Sequence, residues 1–80
     1  MIKNSKPVEI ILHIDEDLQQ DQINSLEDSL GNGTGITDAR VNRKRSHLML
    51  VDYMPGVVTA QQVLAYVQNQ GYHAELVGGL

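Results

Sequence analysis

Residues 8–30 read VEIILHIDEDLQQDQINSLEDSL, and the spacing of the apolar residues changes once within this stretch. In VEIILHI (8–14) apolar residues alternate with others, which predicts a strand with one covered face. From Ile23 onward the apolar residues recur three and four positions apart, at Leu26 and Leu30, which predicts an amphipathic helix. The acidic residues between the two segments favour the N-terminus of that helix. The stretch therefore predicts a β-strand followed directly by an α-helix.

The middle of the chain predicts a hairpin of two strands. GNGTG (31–35) ends the helix, because glycine readily adopts the left-handed conformation that follows a helix. ITDARV (36–41) and HLMLVDY (47–53) have the composition of strands, and the polar segment NRKRS (42–46) connects them. Since HLMLVDY is almost continuously apolar, we expect it in the centre of the sheet.

The last third of the chain predicts a second helix and a fourth strand. Thr59 is a suitable N-cap for AQQVLAYVQNQ, whose apolar residues form one stripe, and Gly71 suits the position after the helix. YHAELV (72–77) follows as a strand. Because each helix has one apolar stripe, both helices must cover the same face of one sheet. The order βαββαβ therefore predicts an α+β, ferredoxin-like sandwich: a four-stranded antiparallel sheet with two helices on one face.

The chain has 80 residues, which is enough for one domain. We expect residues 1–7 to form a flexible N-terminus, residues 8–77 the domain and residues 78–80 a C-terminal tail. The apolar run near the N-terminus is too short for a signal peptide or a membrane span. We therefore expect a cytoplasmic protein without membrane contact.

The composition argues against several classes of function. A net charge of −4 disfavours general binding to nucleic acid or anionic membranes. The chain has no cysteine, which removes disulfides, thiolate metal sites and cysteine nucleophiles. It has no serine–histidine–acid pattern, phosphate-binding loop or dinucleotide fingerprint, so the sequence predicts no enzyme.

The element order and several local sequences resemble the heavy-metal-associated domain, found in copper chaperones, mercury-binding proteins and metal-pumping ATPases. The matching segments are GITDARV after the first helix, LVDYMP at the end of the third strand, and VLAYVQNQGYHAEL across the second helix and last strand. The resemblance spans about residues 8–77. It implies a small binding domain linked to metal homeostasis, acting as a protein-interaction or regulatory module.

The chain departs from this family at its defining motif, a pair of metal-binding cysteines. Gln19 and Gln22 occupy the matching positions, and Asp17 falls near the family's usual methionine. A glutamine amide is a neutral, hard ligand that cannot replace a thiolate for Cu(I) or Zn²⁺. We therefore assign no residue to the family's metal site and expect no cofactor there.

The three histidines suggest a different metal site. His13 lies at the end of the first strand, His47 begins the third and His73 lies at the beginning of the fourth, so all three should lie at one end of the sheet. Together with Asp15, His13 and His73 offer ligands for a divalent metal such as Zn²⁺ or Ni²⁺. The same imidazoles could instead respond to pH, or be ordinary solvated side chains.

A further prediction concerns a partner-binding surface. By alternation, Ile11, Leu48 and Leu50 lie on the sheet face that the helices leave uncovered, where an apolar cluster suits a protein partner or self-association. The hairpin carries adjacent cations at the end of the fold that also holds the acidic loop before the first helix. These cations are Arg43, Lys44 and Arg45. Scattered surface leucines and solvated charges are the plainer interpretation.

An alternative function is amino-acid sensing by a regulatory domain of the same ferredoxin-like fold. Such sensors use a glycine in the loop after the first strand. The segment DEDLQQD (15–21) has none, which disfavours this alternative.

Overall fold

The computed structural model of the protein describes residues 6–79. Its elements are β1 (Val8–Ile14), α1 (Gln20–Gly31), β2 (Ile36–Val41), β3 (Leu48–Tyr53), α2 (Ala60–Asn69) and β4 (Ala74–Gly79). The predicted order βαββαβ is confirmed. Most of the predicted flexible N-terminus, and the last residue of the predicted tail, lie outside the described residues.

The four strands form one antiparallel sheet in the order β2-β3-β1-β4. The prediction that the third strand lies in the centre of the sheet is confirmed, and the first strand is the other central strand. This order brings the end of β1 beside the starts of β3 and β4, because antiparallel neighbours run in opposite directions. The loop after β1 therefore lies at the same end of the sheet as the β2–β3 hairpin.

The core lies between one face of the sheet and the two helices, as the sequence predicts. Burial alternates along β1, where Leu12 is fully buried while Ile11 and His13 on the other face are partly exposed. The remaining core residues come from β1, α1, β2, β3 and α2 and from the loop after β1. They are Ile10, Ile14, Leu18, Leu26, Leu30, Ala39, Val41, Met49, Val51, Tyr53, Val63 and Val67.

The helix boundaries follow from caps that the sequence partly predicts. Thr59 is the N-cap of α2, and its hydroxyl accepts a hydrogen bond of 3.1 Å from the Gln62 N–H. Gly71 follows that helix with φ +100°, a left-handed conformation that glycine adopts without steric cost. No helix within residues 6–79 is both long and apolar enough to cross a membrane.

The last strand differs from its predicted span of 72–77. β4 begins at Ala74 and runs to Gly79, into residues that the sequence interpretation placed in a tail. The pairing with β1 shifts between Ile11 and Leu12, which lie opposite Gly78 and Leu76. The bulge leaves one residue of β4 without a partner on β1, which lengthens the strand. The alternation of apolar residues in the sequence does not reveal this bulge.

Candidate functional site

The loop that joins β1 to α1, residues 15–19, is held against two other strands. The Ile14 N–H donates a hydrogen bond of 2.8 Å to the His47 carbonyl oxygen, just before β3. The Asp15 N–H donates one of 2.8 Å to the His73 carbonyl oxygen, just before β4. All three histidines therefore meet at this end of the sheet, as the sequence predicts.

His73 forms an ion pair with Glu16. The His73 Nδ1 lies 2.7 Å from the Glu16 Oε2, and the His73 backbone N–H donates to Oε1 at 3.0 Å. The hydrogen bond from the His73 ring holds the pKa of the Glu16 carboxyl below its usual value. The same hydrogen bond raises the pKa of His73, with the negative charge of Glu16 adding to the effect. The pair thus joins the 15–19 loop to the start of β4.

His47 forms a second connection to the same loop. Its Nδ1 lies 2.7 Å from the Ile14 carbonyl oxygen, and its Nε2 lies 2.9 Å from Asp17 Oδ1. Its ring stacks on His13, with the ring centroids 5.7 Å apart and 16° between the planes. The His13 Nδ1 is shielded from solvent 3.2 Å from Asp15 Oδ1, but the two atoms are not in hydrogen-bonding geometry.

The ligand set predicted for a divalent metal is not brought together. His13 and Asp15 are adjacent, but the His73 ring pairs with Glu16 instead. Within residues 6–79, no group of three histidine or carboxylate side chains is arranged to hold a metal ion. The histidines at this end of the sheet are arranged as pairs with carboxylates, a pattern that the sequence interpretation did not predict.

Gln19 and Gln22, which the resemblance matches to the cysteines of heavy-metal-associated domains, lie at the start of helix α1. Gln19 is the N-cap residue, and its backbone N–H donates a hydrogen bond of 2.8 Å to Gln22 Oε1. The Gln22 N–H in turn donates to Asp21 Oδ1 at 3.0 Å. These side chains therefore satisfy backbone groups that a helix start leaves unpaired.

The basic hairpin, residues 42–46, has a backbone held by hydrogen bonds and carries exposed cationic side chains. The Asn42 Oδ1 accepts hydrogen bonds of 2.9 Å from the backbone N–H groups of Lys44 and Arg45, which closes the turn. Arg43 and its two basic neighbours are exposed. None of the three forms an ion pair with another residue in the described part of the chain. The carboxylates of the acidic loop lie beside histidines, and none of them forms an ion pair with the hairpin among the described residues.

The predicted apolar cluster lies on the uncovered face of the sheet. Ile11 lies opposite Leu50, and His13 lies opposite Leu48, on the two central strands. All three apolar residues are half-buried rather than fully exposed. The cluster is thus a shallow apolar strip, and Leu48 is its member nearest to the basic hairpin.

Sequence analysis missed a charged network at the far end of this face. The Arg40 Nη2 lies 2.8 Å from Glu9 Oε2, and Nη1 binds Asp38 and lies 3.7 Å from Asp52 Oδ2. Partial burial acts to lower the pKa of Arg40, but the hydrogen bonds to Asp38 and Glu9 outweigh it and raise that pKa. One cation thus ties together carboxylates from three strands.

Comparison with known proteins supports the fold. No protein-family model matches the sequence, and no curated protein matches it significantly. Solved structures do match. The crystal structure of a copper binding domain from HMA7, a P-type ATPase, has a TM-score of 0.81 at 21% identity, covering 90% of this chain and 96% of that one.

Two further structures are similar. The N-terminal domain of a potential copper-translocating P-type ATPase from Bacillus subtilis, in its Cu(I)-loaded state, has a TM-score of 0.80 at 22% identity, covering 92% of this chain and 91% of that domain. The CopZ metallochaperone has a TM-score of 0.71 at 26% identity, covering 86% of this chain and 98% of that one. The resemblance to heavy-metal-associated domains is therefore confirmed for the fold.

Proposed function

We propose that this chain is a non-catalytic interaction module of metal homeostasis, which contacts protein partners of copper-binding domains without carrying copper itself. The observation that carries the proposal is the hydrogen bond between Gln19 and Gln22. These residues close the start of α1 with a hydrogen bond of 2.8 Å, in a chain that has the fold of copper-binding domains but no cysteine. Such a module would act by shape and charge.

The contact surface in this proposal combines the basic hairpin with the apolar strip. Arg43, Lys44 and Arg45 are exposed and free of ion pairs among the described residues. The Asn42 turn fixes the backbone that carries them. A local patch of three cations on a chain of net charge −4 favours an acidic partner surface, because complementary charge speeds and orients association.

The strip adds the apolar contact that charge alone does not supply. Leu48 follows the hairpin directly, and Leu50 and Ile11 extend the strip along the two central strands. Exposed ion pairs contribute little affinity, while partly exposed apolar side chains gain from complete burial against a partner. The proposed partner is thus a protein domain with an acidic rim beside an apolar patch.

Measurement of Cu(I) binding tests the absence of a metal-carrying role. The native chain is expected to leave Cu(I) with a competing chromophoric chelator. The double variant Gln19→Cys/Gln22→Cys is the matched control, because it places thiolates at the positions that the resemblance identifies. We expect it to withdraw about one equivalent of Cu(I) from the chelator. Tight stoichiometric uptake by the native chain would contradict the proposal.

Titration of the isotopically labelled chain with a copper-binding ATPase domain from the same organism tests the partner surface. Amide signals of residues 43–50 are expected to move, and the triple charge reversal Arg43→Glu/Lys44→Glu/Arg45→Glu should weaken binding at least about tenfold. Lys6→Glu reverses an exposed charge just before the opposite end of β1, and should leave the affinity unchanged. Equal effects of the two variants, or no shifts at the hairpin, would reject the proposed surface.

A further inference from the structure

The uncovered face of the sheet carries charge of opposite sign at its two ends. At one end, Glu9 on β1 and Asp38 on β2 both lie opposite Asp52 on β3, and these three carboxylates form the acidic row. They share the cation of Arg40, so the row keeps an excess of negative charge. The other end of the sheet carries the basic hairpin, whose three cations are exposed. The face is therefore polarised along the direction of the strands.

The apolar strip lies between these two ends. Ile11 and Leu50 lie opposite each other, next to the acidic row, and Leu48 lies nearer to the hairpin. Leu48 and Asp52 are four positions apart on β3, which corresponds to about 13 Å along the strand. Negative charge, apolar surface and positive charge thus follow one another within the length of one strand.

The two charged ends are aligned on the same side of the sheet. The hairpin joins β2 and β3, and these strands also contribute Asp38 and Asp52 to the acidic row. The 15–19 loop and Glu75 also bring carboxylates to the hairpin end, but they belong to β1 and β4 on the other side of the sheet. The opposite charges therefore face each other along β2 and β3.

We propose that two copies of this chain associate face to face through this surface in antiparallel orientation, with the hairpin of each copy over the acidic row of the other. A two-fold symmetric contact requires a surface that complements itself. The uncovered face meets this requirement, because it carries both the cations and the acidic rim beside an apolar patch. The inference rests on the contact surface of the proposed function and names a second copy of the chain as one of its partners.

The charges select the antiparallel orientation. Parallel stacking would place hairpin on hairpin and acidic row on acidic row, which is unfavourable at both ends. A two-fold axis that passes between Leu48 and Leu50, across the strands, brings unlike charges together at both ends. The same axis places Leu48 of one copy over Leu50 of the other, so that the apolar strip is buried in the middle. Sheets that pack face to face keep their strands aligned to within about 30°, which this arrangement allows.

The size of the face indicates a weak dimer. The sheet has four strands of six or seven residues, which give a face of roughly 400 Å² on each copy. Stable interfaces bury about 800 Å² on each partner, so we expect a Kd of about 0.1 mM. Because the dimer and the proposed complex with another protein both use the hairpin, each excludes the other.

Sedimentation equilibrium from about 10 μM to about 1 mM tests the inference. The native chain is expected to dimerise in this range. Reversal of the hairpin (Arg43→Glu/Lys44→Glu/Arg45→Glu) and reversal of the acidic row (Glu9→Lys/Asp38→Lys) should each weaken association at least about fivefold, because like charges then meet at both ends. An equimolar mixture of the two variants should recover most of the native affinity, since both contacts again join unlike charges. Circular dichroism establishes that each variant is folded.

A second mixture separates this contact from general attraction between oppositely charged chains. Asp21→Lys/Asp28→Lys reverses as many carboxylates as the acidic-row variant, at exposed positions of α1. By itself this control variant should dimerise like the native chain. Mixed with the hairpin variant, it should recover less affinity than the acidic-row variant does. Equal recovery in the two mixtures would overturn the proposed contact.

A spin label tests the orientation independently. Because the chain has no cysteine, Ser46→Cys provides one attachment point in the hairpin. When this labelled chain is mixed with isotope-labelled native chain, the amide signals of Asp38 and Asp52 should broaden more than those of residues 43–47. Stronger broadening at the hairpin would indicate parallel stacking and overturn the inference. A native chain that stays monomeric at about 1 mM would also overturn it, while the titration with a copper-binding ATPase domain would still decide the proposed function.

Discussion

The side-chain oxygen of Gln22 lies 2.8 Å from the backbone nitrogen of Gln19 and accepts its hydrogen bond. By the resemblance to heavy-metal-associated domains, the two residues stand where that family has its metal-binding cysteine pair. In this chain the Gln22 side-chain amide satisfies a backbone group at the start of the helix.

Replacing Gln22 by alanine should destabilise the protein by about 0.5–1 kcal/mol, because the Gln19 N–H loses its partner at the start of α1. Gln61→Ala is the control, since Gln61 is exposed in the first turn of α2 and its side chain has no hydrogen bond within residues 6–79. Urea unfolding measures both. Equal stability of the two variants would show that the Gln22 cap contributes nothing.

The carboxylate of Glu27 protects an edge strand. Its Oε2 accepts a hydrogen bond of 2.8 Å from the Val41 N–H, on β2 at the edge of the sheet. Replacing Glu27 by alanine leaves a part-buried N–H without a partner, and we expect a loss of about 1.5–3 kcal/mol. Glu27→Gln keeps an acceptor and should lose less.

The control for this prediction is Asp28→Ala, one position along the same helix. Asp28 is exposed, and its side chain makes no ion pair or hydrogen bond among the described residues. Its replacement should change the urea midpoint by less than a third of the Glu27→Ala effect. Self-association of the Glu27→Ala variant is a second measurement, because an unprotected edge strand promotes association between chains. An unchanged midpoint for Glu27→Ala would contradict the assigned role.

The architecture could be predicted because the apolar spacing of this chain is regular. The alternation in β1 separates Leu12 from Ile11, and the structure buries the first and leaves the second half-exposed. Thr59 could be predicted as an N-cap because threonine is a preferred residue there. Gln19 could not, since glutamine is an uncommon N-cap and its partner Gln22 looked like an ordinary helical residue.

Contacts between distant side chains could not be predicted, because they depend on strand register. Arg40 and Glu9 are 31 positions apart in the sequence. They meet because β3 lies between their strands and pairs with each of them in one particular register. The histidines were predicted to share one end of the sheet, which the order of the strands implies. Which carboxylate each ring contacts depends on the path of the 15–19 loop, for which the sequence contains no periodic signal.

Two glycines in left-handed conformations should respond differently to alanine. Gly35 has φ +87° and Gly71 has φ +100°, so alanine strains the backbone at both positions by about 1–2 kcal/mol. At Gly35 the added methyl would also lie 2.9 Å from a methyl of Val57 and 3.0 Å from one of Val58. At Gly71 nothing lies within 4 Å.

We therefore expect Gly35→Ala to destabilise the protein more than Gly71→Ala, by an additional amount of about 1 kcal/mol or more. The combined variant Gly35→Ala/Val57→Ala is the matched control, since it removes the closest methyl group while keeping the backbone strain. It should recover part of the difference in urea unfolding. Identical losses for Gly35→Ala and Gly71→Ala would mean that the contact with Val57 is relieved without cost.

The Glu16–His73 pair should make stability depend on pH in a defined window. The lowered pKa of Glu16 gives stability that is present above its usual value and lost as pH falls through the lowered one. The raised pKa of His73 gives stability that is present below its usual value and lost as pH rises through the raised one.

The urea midpoint of the native chain should therefore exceed that of His73→Ala most at mildly acidic pH, between the two values. The difference should shrink toward about pH 9 and toward about pH 3, because one member of the pair becomes neutral in each limit. Glu16→Gln should give the same profile, while Asp28→Asn, an exposed acid without a histidine partner among the described residues, should follow the native curve. A constant difference between native and His73→Ala across this range would show that the histidine stabilises the fold through packing and that the ion pair contributes nothing.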